Sequence, residues 1–325
     1  MSTLRELGEF GLIRRLTEHL PVSEHVLTGI GDDCAVLEMG GQILLVTCDA
    51  SVEDVHFRRD TAIPCDIGYK AAMSALSDLA AMGGQPRFAL VTLACPSATD
   101  VSVIEGIYSG IAEAAAACGA IIVGGDTTQS IARIVIDLTV IGEPSGGRYV
   151  LRSGVRDGDV LAVTGFPGCS AAGMIALQNK REAPELVRIH TRPTARVAEG
   201  QWFGARTGVH AMIDLSDGLV QDVGHLCEAS GVGADIEVDR LPISPLLQEH
   251  GAHLGLEALD LVLAGGEEYE LVMALEKGDA LEIAASYAEA FGRPLSIIGE
   301  FSDVWQGVRL NGEPVGRLGY DHFRA

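Results

Sequence analysis

The sequence predicts a mixed α/β (α+β) fold built in two halves. Short apolar runs typical of buried strands alternate with longer segments in which apolar residues recur at helical spacing. This alternation occurs on both sides of residues 142–147, where glycine, proline and serine cluster between two apolar runs. We therefore expect an N-terminal domain over residues 1–147 and a C-terminal α/β domain over residues 148–325.

In the first half, leucines near helical spacing predict a helix over residues 4–20. Pro64 begins a second helix that continues through Ala81, since proline fits the first turn and two glycines follow soon after the end. Asp100 has the side chain of a helix N-cap and precedes a third amphipathic segment. Apolar runs predict strands at residues 43–48, 87–95, 120–123 and 131–141.

The second half shows the same alternation of strands and helices. Its apolar runs predict strands at residues 159–164, 211–215, 235–238, 269–274 and 295–298. Helical segments are predicted at residues 171–177, 194–206, 216–229 and 280–290. Because both halves alternate in this way, the α/β or mixed α+β class applies to the whole chain.

The charge balance and the cysteines narrow the function. The 325 residues include 23 Lys and Arg against 45 Asp and Glu, a formal net charge of −22. A nucleic-acid binder needs clustered basic residues for phosphate contacts, so we expect no nucleic-acid partner. Seven cysteines without a Cys-x-x-Cys pair argue against a disulfide framework or structural zinc. The longest apolar run, residues 114–123, is about half the ~20 residues of a membrane span, and we expect a cytoplasmic protein.

Many acidic residues lie beside glycines or at strand ends. An Asp that directly follows an apolar strand projects into the crevice where α/β proteins bind ligands. Carboxylates crowded there repel each other unless cations neutralise them, and Mg²⁺ bridges carboxylates to substrate phosphates. The pattern therefore indicates Mg-nucleotide chemistry. Six segments have this character: 29–33 (GIGDD), 47–49 (TCD), 76–78 (LSD), 124–128 (GGDTT), 214–218 (DLSDG) and 265–268 (GGEE).

Other interpretations of each segment stay open. A single Gly-Gly-Asp is more often a turn than a binding site. Asp214 and Ser216 are also suited to cap the helix that follows, and His56 alone fits a packed or surface histidine. No lysine follows a glycine, and Gly29-Ile-Gly31 is not completed by a glycine at position 34, so the common nucleotide-binding signatures are absent. The case for a site depends on six such segments in one chain.

Taken in order, the segments resemble the thiamine-monophosphate kinase family, in the superfamily of aminoimidazole ribonucleotide synthetase and selenophosphate synthetase. The similarity covers nearly the whole chain, and the ordered set is more specific than any one segment. The matching segments are 8–13 (GEFGLI), 29–35 (GIGDDCA), 48–49 (CD), 56–57 (HF), 76–83 (LSDLAAMG), 124–128 (GGDTT), 152–154 (RSG), 213–219 (IDLSDGL), 265–271 (GGEEYEL) and 319–323 (GYDHF).

The resemblance implies a fold and a reaction. The N-terminal half would pair with its copy in a homodimer and build a shared β-barrel, and Mg-ATP would bind in the cleft between the halves. A phosphoryl group would pass from ATP to thiamine monophosphate, giving thiamine diphosphate. The acceptor phosphate is anionic at neutral pH because its second pKa is about 6, so alignment and several Mg²⁺ ions would suffice without a general base.

The resemblance also implies roles for individual positions. The expected metal ligands are Asp33, Thr47, Cys48, Asp49, Asp78, Asp126, Asp214 and Asp217. The expected ATP contacts are Gly125, Asp126, Arg152 and Ser216. The expected contacts to thiamine monophosphate are His56, Glu267 and Tyr320.

Three positions depart from the family pattern. Cys48 stands where threonine is common. The change would lower metal affinity if the ligand at this position is a hydroxyl, and would be harmless if the ligand is the backbone carbonyl. Residues 50–54 are small and acidic where a bulkier apolar residue and a glycine are common, and this bears on the fit of the substrate. Glu268 replaces a usual aspartate.

Alternatives remain within and beyond the superfamily. A hydrogenase-maturation dehydratase would have a reactive cysteine in its C-terminal tail, where this chain has His322-Phe-Arg-Ala325. A selenophosphate synthetase would have a cysteine or selenocysteine with a lysine near the N-terminus, but the first of each here are Cys34 and Lys70. A non-catalytic sensor on the same fold would bind Mg-ATP without turnover, and an acidic protein whose segments are all turns would bind no nucleotide.

Overall fold

The computed structural model describes residues 3–316 and 318–323 and contains two β-sheets with helices packed against them. The strands of the first sheet all end by residue 144, and those of the second all begin at residue 160 or later. The predicted mixed α/β fold in two halves is confirmed. No helix in the described ranges is both long enough and apolar enough to cross a bilayer. Residues 324 and 325, which enter the dehydratase alternative, lie outside the described residues.

The first sheet contains six strands: β1 (Val26–Thr28), β2 (Ala35–Met39), β3 (Gln42–Val52), β4 (Gly84–Cys95), β5 (Ile121–Gln129) and β6 (Val135–Pro144). Their spatial order is β1-β2-β3-β6-β4-β5. Neighbours are antiparallel except β4 and β5, which are parallel. Buried and half-buried residues alternate strictly along β6, so one face of the sheet is covered and the other is more open.

Four helices belong to the first half: α1 (Leu4–Leu7), α2 (Glu9–Thr17), α3 (Pro64–Ala81) and α4 (Val101–Ala117). α3 contacts β3, β4 and β6 of the first sheet, and α4 packs beside it. Most of α3 is buried, because it touches the second half of the chain as well as the first sheet. This position makes α3 the element that connects the two sheets.

The second sheet contains seven strands in the order β13-β12-β9-β11-β7-β10-β8. The strands are β7 (Val160–Thr164), β8 (Val209–Asp214), β9 (Gly233–Ile236), β10 (Leu271–Leu275), β11 (Leu295–Ser302), β12 (Gly307–Leu310) and β13 (Glu313–Pro314). The helices of this half are α5 (Cys169–Gln178), α6 (Pro184–Thr191), α7 (Val197–Gly204), α8 (Leu219–Ser230), α9 (Pro245–Leu254), α10 (Ala258–Ala264) and α11 (Ala280–Phe291). β7 and β10 are buried along their whole length, as expected for central strands covered on both faces.

One buried apolar cluster runs through both halves. It includes Leu76 of α3, Val140 of β6, Phe203 of α7 and Met273 of β10. A second cluster covers the other face of the second sheet, with α5, α8 and α10. The C-terminal turns of α3 are thereby brought against β8, whose last residue is Asp214.

Several predicted elements are confirmed and others are corrected. α3 has the predicted ends, and the Asp100 carboxylate accepts a hydrogen bond from the Ser102 backbone N–H at 2.9 Å, as a cap should. The single helix over residues 4–20 is wrong, because Gly8 adopts φ 70° and separates α1 from α2. Residues 142–147, whose glycines, proline and serine predicted a linker between the halves, are only in part a turn: residues 142–144 are the end of β6, and the turn comprises residues 145–147. The domain boundary at 147/148 stays a prediction.

The helix predicted from Ser216 begins later, at Leu219. Neither Asp214 nor Ser216 caps it. Instead the buried Asp222 carboxylate accepts hydrogen bonds from the backbone N–H groups of Ser216, Asp217 and Gly218 at 3.0, 3.2 and 3.1 Å. The loop before α8 is therefore shaped by a side chain from inside the helix. The elements that the sequence did not indicate are short: β1, β2, β12, β13, α6, α9 and α10.

Candidate active site

A cavity of about 540 Å³ lies between the two halves, which is a size suited to a small-molecule ligand. The first half contributes the end of β3, the loop after it and α3. The second half contributes the β8–α8 loop, residues 264–269 and the tail at residues 319–322. Nine predicted site residues line it: Cys48, Asp49, His56, Asp78, Asp214, Ser216, Asp217, Glu267 and Tyr320.

Three of the predicted metal ligands form a compact group. Carboxylate oxygens of Asp33, Asp78 and Asp214 all lie within 4.8 Å of one another. Asp33 precedes β2, Asp78 is in the last turn of α3, and Asp214 ends β8. The Thr47 hydroxyl donates a hydrogen bond to Asp78 at 2.5 Å, which brings a fourth predicted ligand to the group. We call Asp33, Asp78 and Asp214 the acid cluster.

Burial and mutual repulsion raise the pKa of two members of the acid cluster. Burial, followed by the charge of Asp33, raises the pKa of Asp214 to about 7. Burial and the charge of Asp214 raise the pKa of Asp78 well above its usual range. The Ser77 hydroxyl donates to Asp214 at 2.7 Å, but Asp33 Oδ2 has no hydrogen-bond partner among the described residues. Such a group of buried oxygens favours a bound cation.

Arg152 is the basic side chain that reaches the acid cluster. Its guanidinium donates to Asp33 Oδ1 through Nη2 at 2.6 Å and through Nε at 3.2 Å. Its backbone N–H donates to Asp32 at 3.0 Å, so the whole residue is fixed against the 32–33 turn. Burial and the neighbouring Asp33 raise the pKa of Asp32 to about 6. The predicted ATP contact is thus positioned directly beside predicted metal ligands.

Asp49 and Asp217 line the cavity outside the acid cluster. Burial raises the pKa of both carboxyl groups. Asp217 accepts a hydrogen bond from the Gln221 amide at 2.9 Å and lies in a second group of possible ligands with Asp222 and His225. The two positions therefore extend the acidic surface along both walls of the cavity.

Cys48 presents its thiol to the more open face of the first sheet. The thiol lies 3.3 Å from an oxygen of Asp137, on the neighbouring strand β6, and is exposed. A cysteine Sγ is a poor ligand for Mg²⁺, which prefers oxygen. This leaves the backbone carbonyl as the group through which Cys48 can serve a hard cation.

Gly125 and Asp126 do not line the cavity. They lie on the exposed edge strand β5, with Gly125 opposite Val91 and Asp126 opposite Thr92 of β4. A Cβ at Gly125 would fall 1.8 Å from the Val91 carbonyl oxygen, so this position accepts only glycine. In this single chain the structure does not bring these two predicted ATP contacts to the acid cluster.

The three predicted substrate contacts lie together at one end of the cavity, which we call the acceptor end. The Val52 backbone N–H donates to His56 Nδ1 at 3.0 Å, so the proton of the neutral ring is on Nε2. Burial, followed by the nearby His322, lowers the pKa of His56 and favours that neutral form. His322 stands between His56 and Tyr320, with ring centroids 5.0 and 4.9 Å away.

Three residues that sequence reasoning missed support this arrangement. His322 lines the cavity. It belongs to the segment 319–323, in which the sequence predicted a substrate contact for Tyr320 but not for His322. Asp222 holds the loop that carries Ser216 and Asp217. Lys70, buried in α3, is 2.6 Å from Glu267. Lys70 could have been noticed in the sequence, because it lies within a predicted apolar helix, where a lysine without a charged partner is unfavourable.

The comparisons with known proteins agree with this geometry. Family models for the AIR synthase related protein match the chain, the N-terminal domain over residues 31–143 and the C-terminal domain over residues 156–310. The thiamine-monophosphate kinase of Salmonella typhimurium is 39% identical over 97% of this chain and 98% of its own length. The chain belongs to the thiamine-monophosphate kinase family.

Other members of the family match over their whole length. The thiamine-monophosphate kinase of Bacillus subtilis is 34% identical over 98% of this chain and 100% of its own. The structure of AaThiL complexed with AMPPCP and TMP superposes with a TM-score of 0.88, at 34% identity over 99% of each chain. The family resemblance predicted from the sequence is confirmed.

Proposed function

We propose that this protein transfers a phosphoryl group from ATP to thiamine monophosphate, giving thiamine diphosphate and ADP, as a step of thiamine diphosphate biosynthesis. The observation that carries the proposal is the convergence of Asp33 and Asp78 with Asp214 beside one cavity whose other end presents His56 and Glu267. The family relationship supports it, since full-length relatives are thiamine-monophosphate kinases and a similar structure is complexed with AMPPCP and TMP.

The proposed transfer is direct and in line. An oxygen of the acceptor phosphate attacks the γ-phosphorus, the bond from that phosphorus to the β,γ-bridging oxygen breaks, and ADP leaves with the bonding electrons. The attacking oxygen is already anionic near pH 7, so no side chain is assigned as a general base. His56, neutral with its proton on Nε2, suits a hydrogen-bond donor to the acceptor phosphate. The chain's own contribution is alignment of the two phosphates.

The acid cluster fits Mg²⁺, because it offers carboxylate and hydroxyl oxygens and includes a buried oxygen without a partner among the described residues. Bound there, Mg²⁺ would neutralise charge on the phosphoryl groups. The residues proposed to hold the ions are Asp33, Thr47, Cys48 (through its carbonyl), Asp49, Asp78, Asp126, Asp214 and Asp217.

The remaining contacts divide between the two substrates. Gly125, Asp126, Arg152 and Ser216 are proposed for ATP, with the Arg152 guanidinium as a charged donor to phosphate. His56, Glu267 and Tyr320 are proposed for thiamine monophosphate, at the acceptor end. A cytoplasmic location stays a prediction.

We also propose the homodimer with a shared β-barrel, built on an N-terminal domain of residues 1–147. The more open face of the first sheet exposes Phe88 and Leu90 of β4, and the edge strand β5 exposes 64% of Ile121 and 56% of Val123. An edge strand with exposed apolar residues is a template for pairing with a second copy. By light scattering, the wild type should have the mass of a dimer and Ile121→Asp the mass of a monomer. A monomeric wild type, or a variant that is still a dimer, would contradict the shared barrel.

The test of the reaction is a phosphoryl-transfer assay with Mg-ATP and thiamine monophosphate, with free thiamine and no acceptor as controls. Thiamine diphosphate should form with the monophosphate alone, and removal of Mg²⁺ by EDTA should stop its formation. Binding of Mg-ATP without any product would contradict the kinase proposal. That result would favour the sensor alternative or another acceptor admitted by residues 50–54.

A further inference from the structure

Lys70 is a buried lysine to which none of the roles above gives a function. Of the three lysines of the chain, all within the described residues, Lys180 is exposed and the Lys277 side chain is 70% exposed. Lys70 is 8% exposed, in the middle of α3. Burying an ammonium group is costly unless it is paired and hydrogen-bonded, so its partners indicate why it is there.

The partners of Lys70 come from the other half of the chain. Its Nζ is 2.6 Å from Glu267 Oε1 and 3.2 Å from His190 Nε2. Burial and the charge of Lys70 lower the pKa of His190 to about 4, so the ring is neutral and Nε2 accepts the hydrogen bond. The ring proton is then on Nδ1, which donates to the Ser170 hydroxyl at 3.1 Å. The direction of every hydrogen bond in this chain of groups is therefore defined.

The backbone of Glu267 is held independently of Lys70. Glu267 has φ 60°, and its N–H donates to the Ser216 carbonyl at 2.7 Å. A Cβ on Gly266 would fall 2.5 Å from that same carbonyl oxygen, so the close approach of this loop to Ser216 requires glycine at position 266. The backbone thus brings the Glu267 side chain to the cavity. Lys70 contacts one carboxylate oxygen at 2.6 Å and orients the group, while His190 Nδ1 is 3.8 Å from the other oxygen.

Lys70 also changes the charge of the acceptor end. Burial by itself would raise the pKa of Glu267, but the charge of Lys70 outweighs it and holds that pKa below its usual value. The carboxylate is ionised and paired, near Asp49 and His56 in a small recess of about 30 Å³ that Lys70 also lines. Without the ammonium, an incoming phosphate would meet the uncompensated charge of Glu267.

We propose that Lys70 is a positioning residue for the acceptor substrate, which holds the Glu267 carboxylate in place and cancels its charge. The acceptor end can then receive a molecule that carries a phosphate anion as well as a cationic ring, as thiamine monophosphate does. This inference rests on the proposed function and assigns part of its acceptor selectivity to a residue of α3.

The first test compares Lys70→Met with Lys277→Met, a matched loss of a lysine whose partner, Glu300, is 3.7 Å away on the surface. Steady-state kinetics are measured with each substrate varied in turn. Lys70→Met should raise the KM for thiamine monophosphate about 30-fold, the low end for breaking a buried charge pair, with the KM for ATP unchanged. Lys277→Met should match the wild type. An unchanged KM for thiamine monophosphate, or equal rises for both substrates, would overturn the inference.

The second test places Lys70→Met in a Glu267→Gln background. If Lys70 acts through Glu267, the added substitution leaves the KM for thiamine monophosphate as it is in Glu267→Gln alone. A rise as large as in the wild-type background would overturn the positioning role. The double variant buries neither charge of the pair and should fold even where Lys70→Met alone does not. In that case, any rise in the KM for thiamine monophosphate above that of Glu267→Gln would overturn the positioning role. A wild-type protein that does not phosphorylate thiamine monophosphate would contradict the proposed function, and this inference with it.

Discussion

Two groups of buried carboxylates in this molecule are built in opposite ways. In the second half, Glu270 is 5% exposed and accepts hydrogen bonds from Arg196 at 2.7 Å, Arg293 at 2.6 Å and Thr164 at 2.6 Å. In the acid cluster, Asp214 is 2% exposed, and the hydrogen bond it accepts is from the neutral hydroxyl of Ser77. The two carboxylates are similarly buried. Glu270 has two arginines that compensate its negative charge, whereas the side-chain donor to Asp214 is neutral.

The pKa values follow this difference. Burial would raise the pKa of Glu270, but the charges of Arg196 and Arg293 outweigh it and lower that pKa. For Asp214, burial and the neighbouring Asp33 act in the same direction and raise the pKa to about 7. A buried carboxylate with two arginine partners supports the fold. The acid cluster crowds three carboxylates around one arginine contact, from Arg152 to Asp33, and this excess of negative charge suits a cation that comes from outside.

The largest expected effect is on activity when the acid cluster loses a charge. Asp214→Asn should lower kcat/KM by roughly a thousandfold, since several kcal/mol of charge neutralisation depend on the bound metal. The free energy of unfolding of the metal-free protein should not fall, because one repelling charge has been removed at constant shape. Kinetics and urea unfolding measure the two quantities. Activity within tenfold of wild type would remove Asp214 from the site.

For Glu270 and its arginine partners, we expect a loss of stability and little change in activity. Glu270→Gln replaces the carboxylate that Arg196 and Arg293 share with a neutral amide and should lower the free energy of unfolding by about 3–5 kcal/mol. Kinetic constants should stay near wild type at temperatures where the variant is folded. Glu300→Gln is the matched control: it breaks the exposed pair with Lys277 and should cost about 0–1 kcal/mol. Equal stability of the two variants would contradict a supporting role for Glu270.

The pH dependence of stability should separate the two groups. Asp214 has a folded pKa of about 7 and an unfolded pKa of about 3.9, so between these values the folded state holds a proton that the unfolded state has lost. Its contribution is fully present below the unfolded value and is lost as the pH rises through about 7. Glu270, with a lowered pKa, contributes above its unfolded value and loses that contribution as the pH falls.

Thermal unfolding of the EDTA-treated protein at pH 5 and pH 8 measures this difference. Stability should be lower at pH 8, Asp214→Asn should reduce the drop, and added Mg²⁺ should stabilise the wild type more at pH 8 than at pH 5. A metal-free protein that is equally stable at both values, with no response to Mg²⁺, would show that the acid cluster is not a cation site.

The smallest expected effect concerns the acceptor end. Tyr320→Ala should raise the KM for thiamine monophosphate about three- to tenfold, the range of one aromatic contact, and leave the KM for ATP unchanged. Tyr320→Phe keeps the ring and should stay near wild type. Tyr320 is 39% exposed, so neither change should unfold the protein. Equal losses for both substrates would place Tyr320 away from the acceptor.

Local patterns along the chain were enough to predict the class of fold, the positions of the long helices and the candidate acids. α3 and α4 were predictable because proline, Asp100 and apolar spacing act locally. Short strands such as β1 and β13 were not, since two or three residues contain too little of a period to detect. The break at Gly8 was also missed, because leucines continue at helical spacing on both sides of it.

Which acids act together could not be predicted from local patterns, because it depends on long-range packing. Asp33, Asp78 and Asp214 come from a turn, a helix and a strand end that are distant in the chain, and α3 packing against β8 brings them within 4.8 Å. The same packing gives Lys70 its partner Glu267 and leaves Asp126 on a separate edge strand. The local sequence pattern indicates which residues are buried. The pKa of a buried carboxylate, however, depends on neighbouring charges from distant parts of the chain, which only folding brings close.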